Sequence, residues 1–193
     1  MSMKLQQQGF TLVEILIAVV IFSIGLLGIA GLQVAGMRFT HDSRLRSLAV
    51  AQAESMADMM RANAFGVEKG FYNKAKTAMP SSSAKDCSTV VCNAEERTIY
   101  DLVVWNVKDQ GPLKNANPNV LQDGDGVVCR DSTPNDGATG NWKCDDLGNV
   151  YAIKVQWTER TVTKDDFDPA NASNNDTKTQ RFVMSVLPAL DQN

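Results

Sequence analysis

Residues 10–37 form one apolar block, and its only charge is Glu14. From Ile15 to Met37 no side chain ionises, a run long enough to cross a bilayer core as a helix. A secretory signal has a shorter apolar core that ends at a small-residue cleavage site. The run is therefore expected to remain in the protein as an anchor. The helical period continues beyond it. Leu45, Leu48, Ala49, Gln52, Met56, Met59, Met60 and Asn63 fall on one face, while Arg44, Arg46, Glu54, Asp58 and Arg61 occupy the rest. No proline occurs before Pro80. One helix is expected from Phe10 to Asn63, with its first half in the membrane and its second half packed by the apolar stripe under a head.

The remaining pattern is broken. Gly66 and Gly70 are expected to loosen the chain, and Lys74 to Lys85 reads as loop. Asn93-Ala94-Glu95-Glu96 has the form of a helix N-cap with an acidic partner three residues on. Ile99, Leu102, Val103 and Val107 then share a face, and Gly111-Pro112 ends the run. The same residues also suit a strand; the helix is preferred. Lys114 to Gly126 reads as a polar loop. The period then changes to two. Gly126–Arg130 is a short strand candidate. Tyr151, Ile153, Val155 and Trp157 alternate with Ala152, Lys154 and Gln156, and Thr179–Leu187 alternates in the same way before Pro188. A polar loop, Thr161 to Lys178, separates the last two strands. Helix followed by strands is an α+β order.

Composition adds limits. With 193 residues, 44% hydrophobic, the chain suits an anchor plus one modest domain. A net charge of -3 gives no nucleic-acid footprint, which needs a basic patch. Four cysteines, Cys87, Cys92, Cys129 and Cys144, all follow the apolar block. An even number beyond a membrane segment points to disulfides in an oxidising compartment. Spacings of four and fourteen intervening residues, with the only histidine at His41, fit zinc poorly. Of the three possible pairings, Cys87–Cys92 and Cys129–Cys144 are expected because both close local loops.

Asp123-Gly124-Asp125-Gly126 contains part of a calcium-loop pattern but lacks its other acidic positions and closing glutamate; a turn is expected. Asp145-Asp146 and Asp165-Asp166 lie in loop-like sequence without a histidine. Asn171-Ala172-Ser173 fits a glycosylation pattern without a context that calls for it. No nucleophile–base set, phosphate loop or metal motif is visible, so no catalytic residue, cofactor or metal is assigned and no enzyme is expected.

Gly9-Phe10-Thr11-Leu12-Val13-Glu14, followed by the apolar helix, resembles the type IV prepilin signature. The resemblance implies cleavage by a prepilin peptidase between Gly9 and Phe10 and methylation of the new Phe10 amine. It also implies pairing of Glu14 with that amine on a neighbouring subunit. A charge in an apolar bundle is tolerated when it is paired. The run from Ser23 to Gln33, Ser-Ile-Gly-Leu-Leu-Gly-Ile-Ala-Gly-Leu-Gln, resembles the minor pilins called PilV, or type IV pilus modification proteins. Major pilins often carry a proline there. Close helix packing is the reading preferred for Gly25, Gly28 and Gly31.

The implied organisation is a leader at 1–9, a transmembrane half-helix at 10–37, an amphipathic periplasmic half at 38–63, and a head at 64–193 with an antiparallel sheet over the helix. The implied function is a minor pilin that primes assembly of a type IV pilus or sits at its tip. Its partners would be other minor pilins, the major pilin, a tip adhesin and the inner-membrane assembly platform. The rivals are a minor pseudopilin of type II secretion and a signal-anchored periplasmic ligand-binding module. Lys4 precedes the anchor and Arg38, Arg44 and Arg46 follow it, so a bare positive-inside count opposes a periplasmic head. The cysteines and the signature outweigh that count.

Overall fold

The computed structural model describes residues 11–74, 79–106, 121–138, 140–160 and 177–187. Gly9, Phe10, Val107, Gly111-Pro112, Asp165-Asp166, Asn171, Pro188 and most of the 161–178 loop lie outside them. Three helices precede three strands: α1 (Leu12–Ala62), α2 (Ala64–Glu68), α3 (Ala94–Asn106), β1 (Asp125–Arg130), β2 (Tyr151–Arg160) and β3 (Thr177–Val186). The chain divides into two compact units between Ser43 and Arg44, and α1 contributes to both.

In the first unit the helix is apolar on all sides from Leu12 to Met37, and its large apolar side chains are exposed among the described residues. The hydroxyls of Thr11, Ser23 and Thr40 bond to the helix's own backbone. Thr11 Oγ1 accepts from Glu14 N at 3.3 Å, Ser23 Oγ donates to the Val19 carbonyl at 2.7 Å, and Thr40 Oγ1 donates to the Gly36 carbonyl at 2.9 Å. Such bonds remove the cost of a bare hydroxyl in an apolar surrounding.

The second unit is built on an antiparallel sheet in the order β1-β2-β3. Val128 stands opposite Ile153 and Ile153 opposite Met184; Val155 stands opposite Phe182. This face meets the C-terminal part of α1 in one core. Leu45, Ala49, Ala53, Met56, Ala57 and Met60 pack with Val128, Tyr151, Ile153, Val155 and Trp157. The stripe is thus narrower in side-chain size than expected. Ala53 and Ala57 are fully buried, while Leu48 and Met59 are only partly so. Small residues at four-residue spacing let neighbouring elements approach the helix axis closely, a use of alanine that hydrophobicity alone does not reveal.

Three local expectations need correction. Gly66 does not loosen the chain; it lies in α2, because Asn63 Oδ1 accepts from Gly66 N at 3.3 Å and caps that turn. A Cβ at Gly66 would come within 2.5 Å of Asn63 Nδ2, so the glycine allows a close approach. The buried face of α3 is also wider than the expected one. Leu102 and Val103 are buried as expected, but so are Thr98, Asp101 and Trp105, whereas Ile99 is only half-buried. Polar Thr98 and Asp101 face inward because partners await them there. Finally, β2 does not alternate. Tyr151 to Val155 are all buried, because the β1–β2 connection covers the second face of the sheet. Trp142 packs on Val127 and Cys129 on that side.

The helix start at Asn93 is as the sequence implies. Asn93 Oδ1 accepts from Glu96 N at 2.9 Å and Glu96 Oε2 accepts from Asn93 N at 3.0 Å, a reciprocal capping box. The Asp123–Gly126 segment is a turn, with Gly124 N donating to the Leu121 carbonyl at 3.0 Å; Asp125 and Gly126 already belong to β1.

Candidate functional site

The first turn of α1 carries the chemistry that sequence reasoning singled out. Thr11 caps the helix, and Glu14 stands three residues on, in the first turn and exposed. A carboxylate there faces the unpaired N–H groups and the positive end of the helix dipole. Every large apolar residue from Leu12 to Phe39 is exposed, among them Leu12 at 82% and Leu27 at 74%. A Cβ added at Gly25, Gly28, Gly31 or Gly36 would meet nothing within 4 Å. In this segment the chain offers a smooth apolar rod with one carboxylate near its end.

The head brings together residues the sequence did not connect. Asn63 Nδ2 lies 2.9 Å from the Ala94 carbonyl, 3.0 Å from Thr98 Oγ1 and 3.3 Å from Tyr72 Oη. Tyr72 in turn donates to Asp101 Oδ2 at 2.6 Å, and Arg97 Nε donates to Asp101 Oδ1 at 2.9 Å. Burial pushes the Tyr72 hydroxyl upward, and the Asp101 carboxylate it serves adds to that. Burial also raises Asp101, against the downward pull of Tyr72 and Arg97. The network ties the end of α1 to α3 and is structural in character. Its signal in the sequence was faint: Asn63 ends an apolar stripe where a solvent-facing residue was equally acceptable.

Both cysteine pairs are joined, Cys87 to Cys92 with Cα atoms 5.6 Å apart and Cys129 to Cys144 with Cα atoms 6.1 Å apart. These are the expected local pairings. Cys129 and Cys144 lie with Asp131 in a cluster of metal-ligand type, but the disulfide uses both sulfurs, so they offer no thiolate. Asp145 is no acidic pair with Asp146; it clamps the loop, accepting from Ser132 N at 3.1 Å and Leu147 N at 2.8 Å as well as from Ser132 Oγ. Those bonds hold its carboxyl below the usual range. His41 is exposed and 3.7 Å from Asp42.

Two family models match adjoining parts of the N-terminal half of the chain. Residues 4–30 match the prokaryotic N-terminal methylation motif, and residues 31–103 match type IV pilin Tt1218. The chain is a type IV pilin-like protein. The matched span runs from the segment before Gly9, through Glu14 and the whole of α1, to the first turns of α3. The pilin is thus membrane-anchored by its N-terminal helix, with an α+β head of pilin type. No curated protein and no solved structure matches it.

Proposed function

We propose that this pilin is a minor subunit of a type IV pilus, cut between Gly9 and Phe10 and methylated on the new Phe10 amine. Residues 1–9 are the leader, 10–37 the inner-membrane span, 38–63 the amphipathic periplasmic half-helix and 64–193 the periplasmic head. The protein acts as a structural subunit that primes the pilus or sits at its tip, and it catalyses no reaction. Its partners are other minor pilins, the major pilin, a tip adhesin and the assembly platform.

The observation that carries this reading is Glu14: one carboxylate in the first turn of α1, the only charge in the exposed apolar stretch that runs from there to Met37, inside the matched methylation motif. A plain anchor has no use for it. In a bundle of such helices the carboxylate meets the methylated amine of a neighbour, and each neutralises the other. The proline-free Ser23–Gln33 run, with its resemblance to minor pilins, supports a minor over a major subunit, and its glycines leave room for a close neighbouring helix.

The test is Glu14→Ala beside Gly9→Val. Gly9→Val should leave the leader attached, and Glu14→Ala should be cleaved normally yet depleted from sheared filaments. Losing one partner of a buried pair costs about 3–5 kcal/mol, which is enough to prevent recruitment. Glu14→Ala found in filaments at the normal level would end the pairing proposal. A mature chain beginning after residue 30 would end the prepilin reading itself.

A further inference from the structure

Lys154 lies in the central strand, and its side chain is wholly buried, as is that of Asp131 just after β1. Its Nζ is 2.5 Å from Asp131 Oδ2 and 3.5 Å from Asp136 Oδ1. It also donates to the Trp142 carbonyl at 2.6 Å. The two short contacts differ in kind. The Trp142 contact is a directed hydrogen bond. Asp131 Oδ2 has no hydrogen-bond partner although Nζ is well within range, so the amine and the carboxyl are pressed together without donor–acceptor alignment. A buried ion pair repays its desolvation only with good geometry and full hydrogen bonding. This pair has the proximity and lacks the alignment.

We propose that Lys154 and Asp131 join in an intramolecular amide bond, with Asp136 as the proton carrier. Burial disfavours the separated charges. The ammonium passes a proton to the Asp131 carboxylate, leaving an amine and a carboxylic acid. The nitrogen lone pair attacks Asp131 Cγ, and the Nζ–Cγ bond forms. Asp136 takes the proton lost from nitrogen and delivers it to the departing hydroxyl. The Cγ–O bond breaks and one water leaves. The balance needs no oxidant, reductant or co-reactant. The rate advantage comes from confinement, since groups held about 3–3.5 Å apart react with effective molarities far above those in solution. The fold supplies that confinement twice. The Trp142 carbonyl fixes Nζ, and the Cys129–Cys144 disulfide encloses both aspartates in one loop across the sheet.

The experiment is a tryptic map of the full-length protein after denaturation, reduction and alkylation. The peptide bearing Asp131 is expected to remain joined to the peptide bearing Lys154, lighter than their sum by one water, with no cleavage after Lys154. Separate peptides of unmodified mass, cut after Lys154, would overturn the proposal and leave a buried ion pair. Asp136→Asn keeps both reacting groups and removes the carrier, so its two peptides should separate. A link formed to the wild-type extent in Asp136→Asn would remove Asp136 from the mechanism. Lys154→Arg, which keeps a cation without the amine, should show no link.

Discussion

Asn63 ends α1, caps α2 and braces α3 with a single side-chain amide. Replacing it by alanine leaves Thr98 and Tyr72 short of a partner and uncaps a helix. Asn63→Ala should therefore destabilise the head by about 2–4 kcal/mol, read as a lower urea midpoint. Tyr72→Phe should cost less, about 1–3 kcal/mol, because Asn63, which also loses its bond to Tyr72, keeps those to Ala94 and Thr98. Acid behaviour at this scale has two signs. Lys85 and the Asn93 N–H hold Glu96 below the usual glutamate range. Its contribution is present above the ordinary glutamate pKa and lost as pH falls through the depressed one. Asp101 is shifted up, so its ionisation subtracts stability as pH rises through its raised pKa. Glu96→Gln should thus be less stable than wild type at neutral pH, and the gap should close below about pH 4. A gap that stays constant across an acid titration monitored by circular dichroism would place the effect of Glu96 outside its charge.

Among the elements, the two disulfides should separate in a reduction experiment. Cys87 and Cys92 are both half-buried, while Cys129 is fully buried beneath Trp142. Under increasing reductant with mass-tagged alkylation, Cys87 and Cys92 should label first. Loss of the Cys129–Cys144 link should cost about 3 kcal/mol on the chain-entropy account of a fifteen-residue loop, which a Cys129→Ala/Cys144→Ala variant would show. On α1, Ala53→Leu should destabilise by about 1–3 kcal/mol through overpacking, although the substitution strengthens the apolar stripe on paper. That contrast marks where the sequence was legible. Period and capping chemistry disclosed α1, α3 and the strands, because those signals are local. The inward turn of Thr98 and Asp101, the burial of Lys154 and the use of alanine at 53 and 57 depend on what lies opposite. Tyr72, Trp142 and Asp131 come from distant parts of the chain. Glu14 was legible for the opposite reason: a charge alone in an apolar run needs no tertiary context to stand out.

At the scale of the molecule, the boundary between Ser43 and Arg44 separates a unit with a core from one without. A chain beginning at Arg44 keeps the core residues from Leu45 onward. It should fold as a soluble head with a cooperative thermal transition, whereas one beginning at Asp58 should not, since Leu45 to Ala57 would be gone. The helix left behind has a different thermodynamics. Its aliphatic side chains are exposed among the described residues, so the surrounding medium supplies most of their solvation. Lipid tails and the flanks of sibling helices are equally oily. Moving this rod from one to the other therefore gains little from the hydrophobic effect, and that effect cannot by itself set the direction of travel. On the hydrophobic term alone, leaving a fibre for the bilayer would cost such a subunit as little as entering it. The choice between the two states falls to shape fit, to the lone carboxylate and to whatever work is done on the fibre.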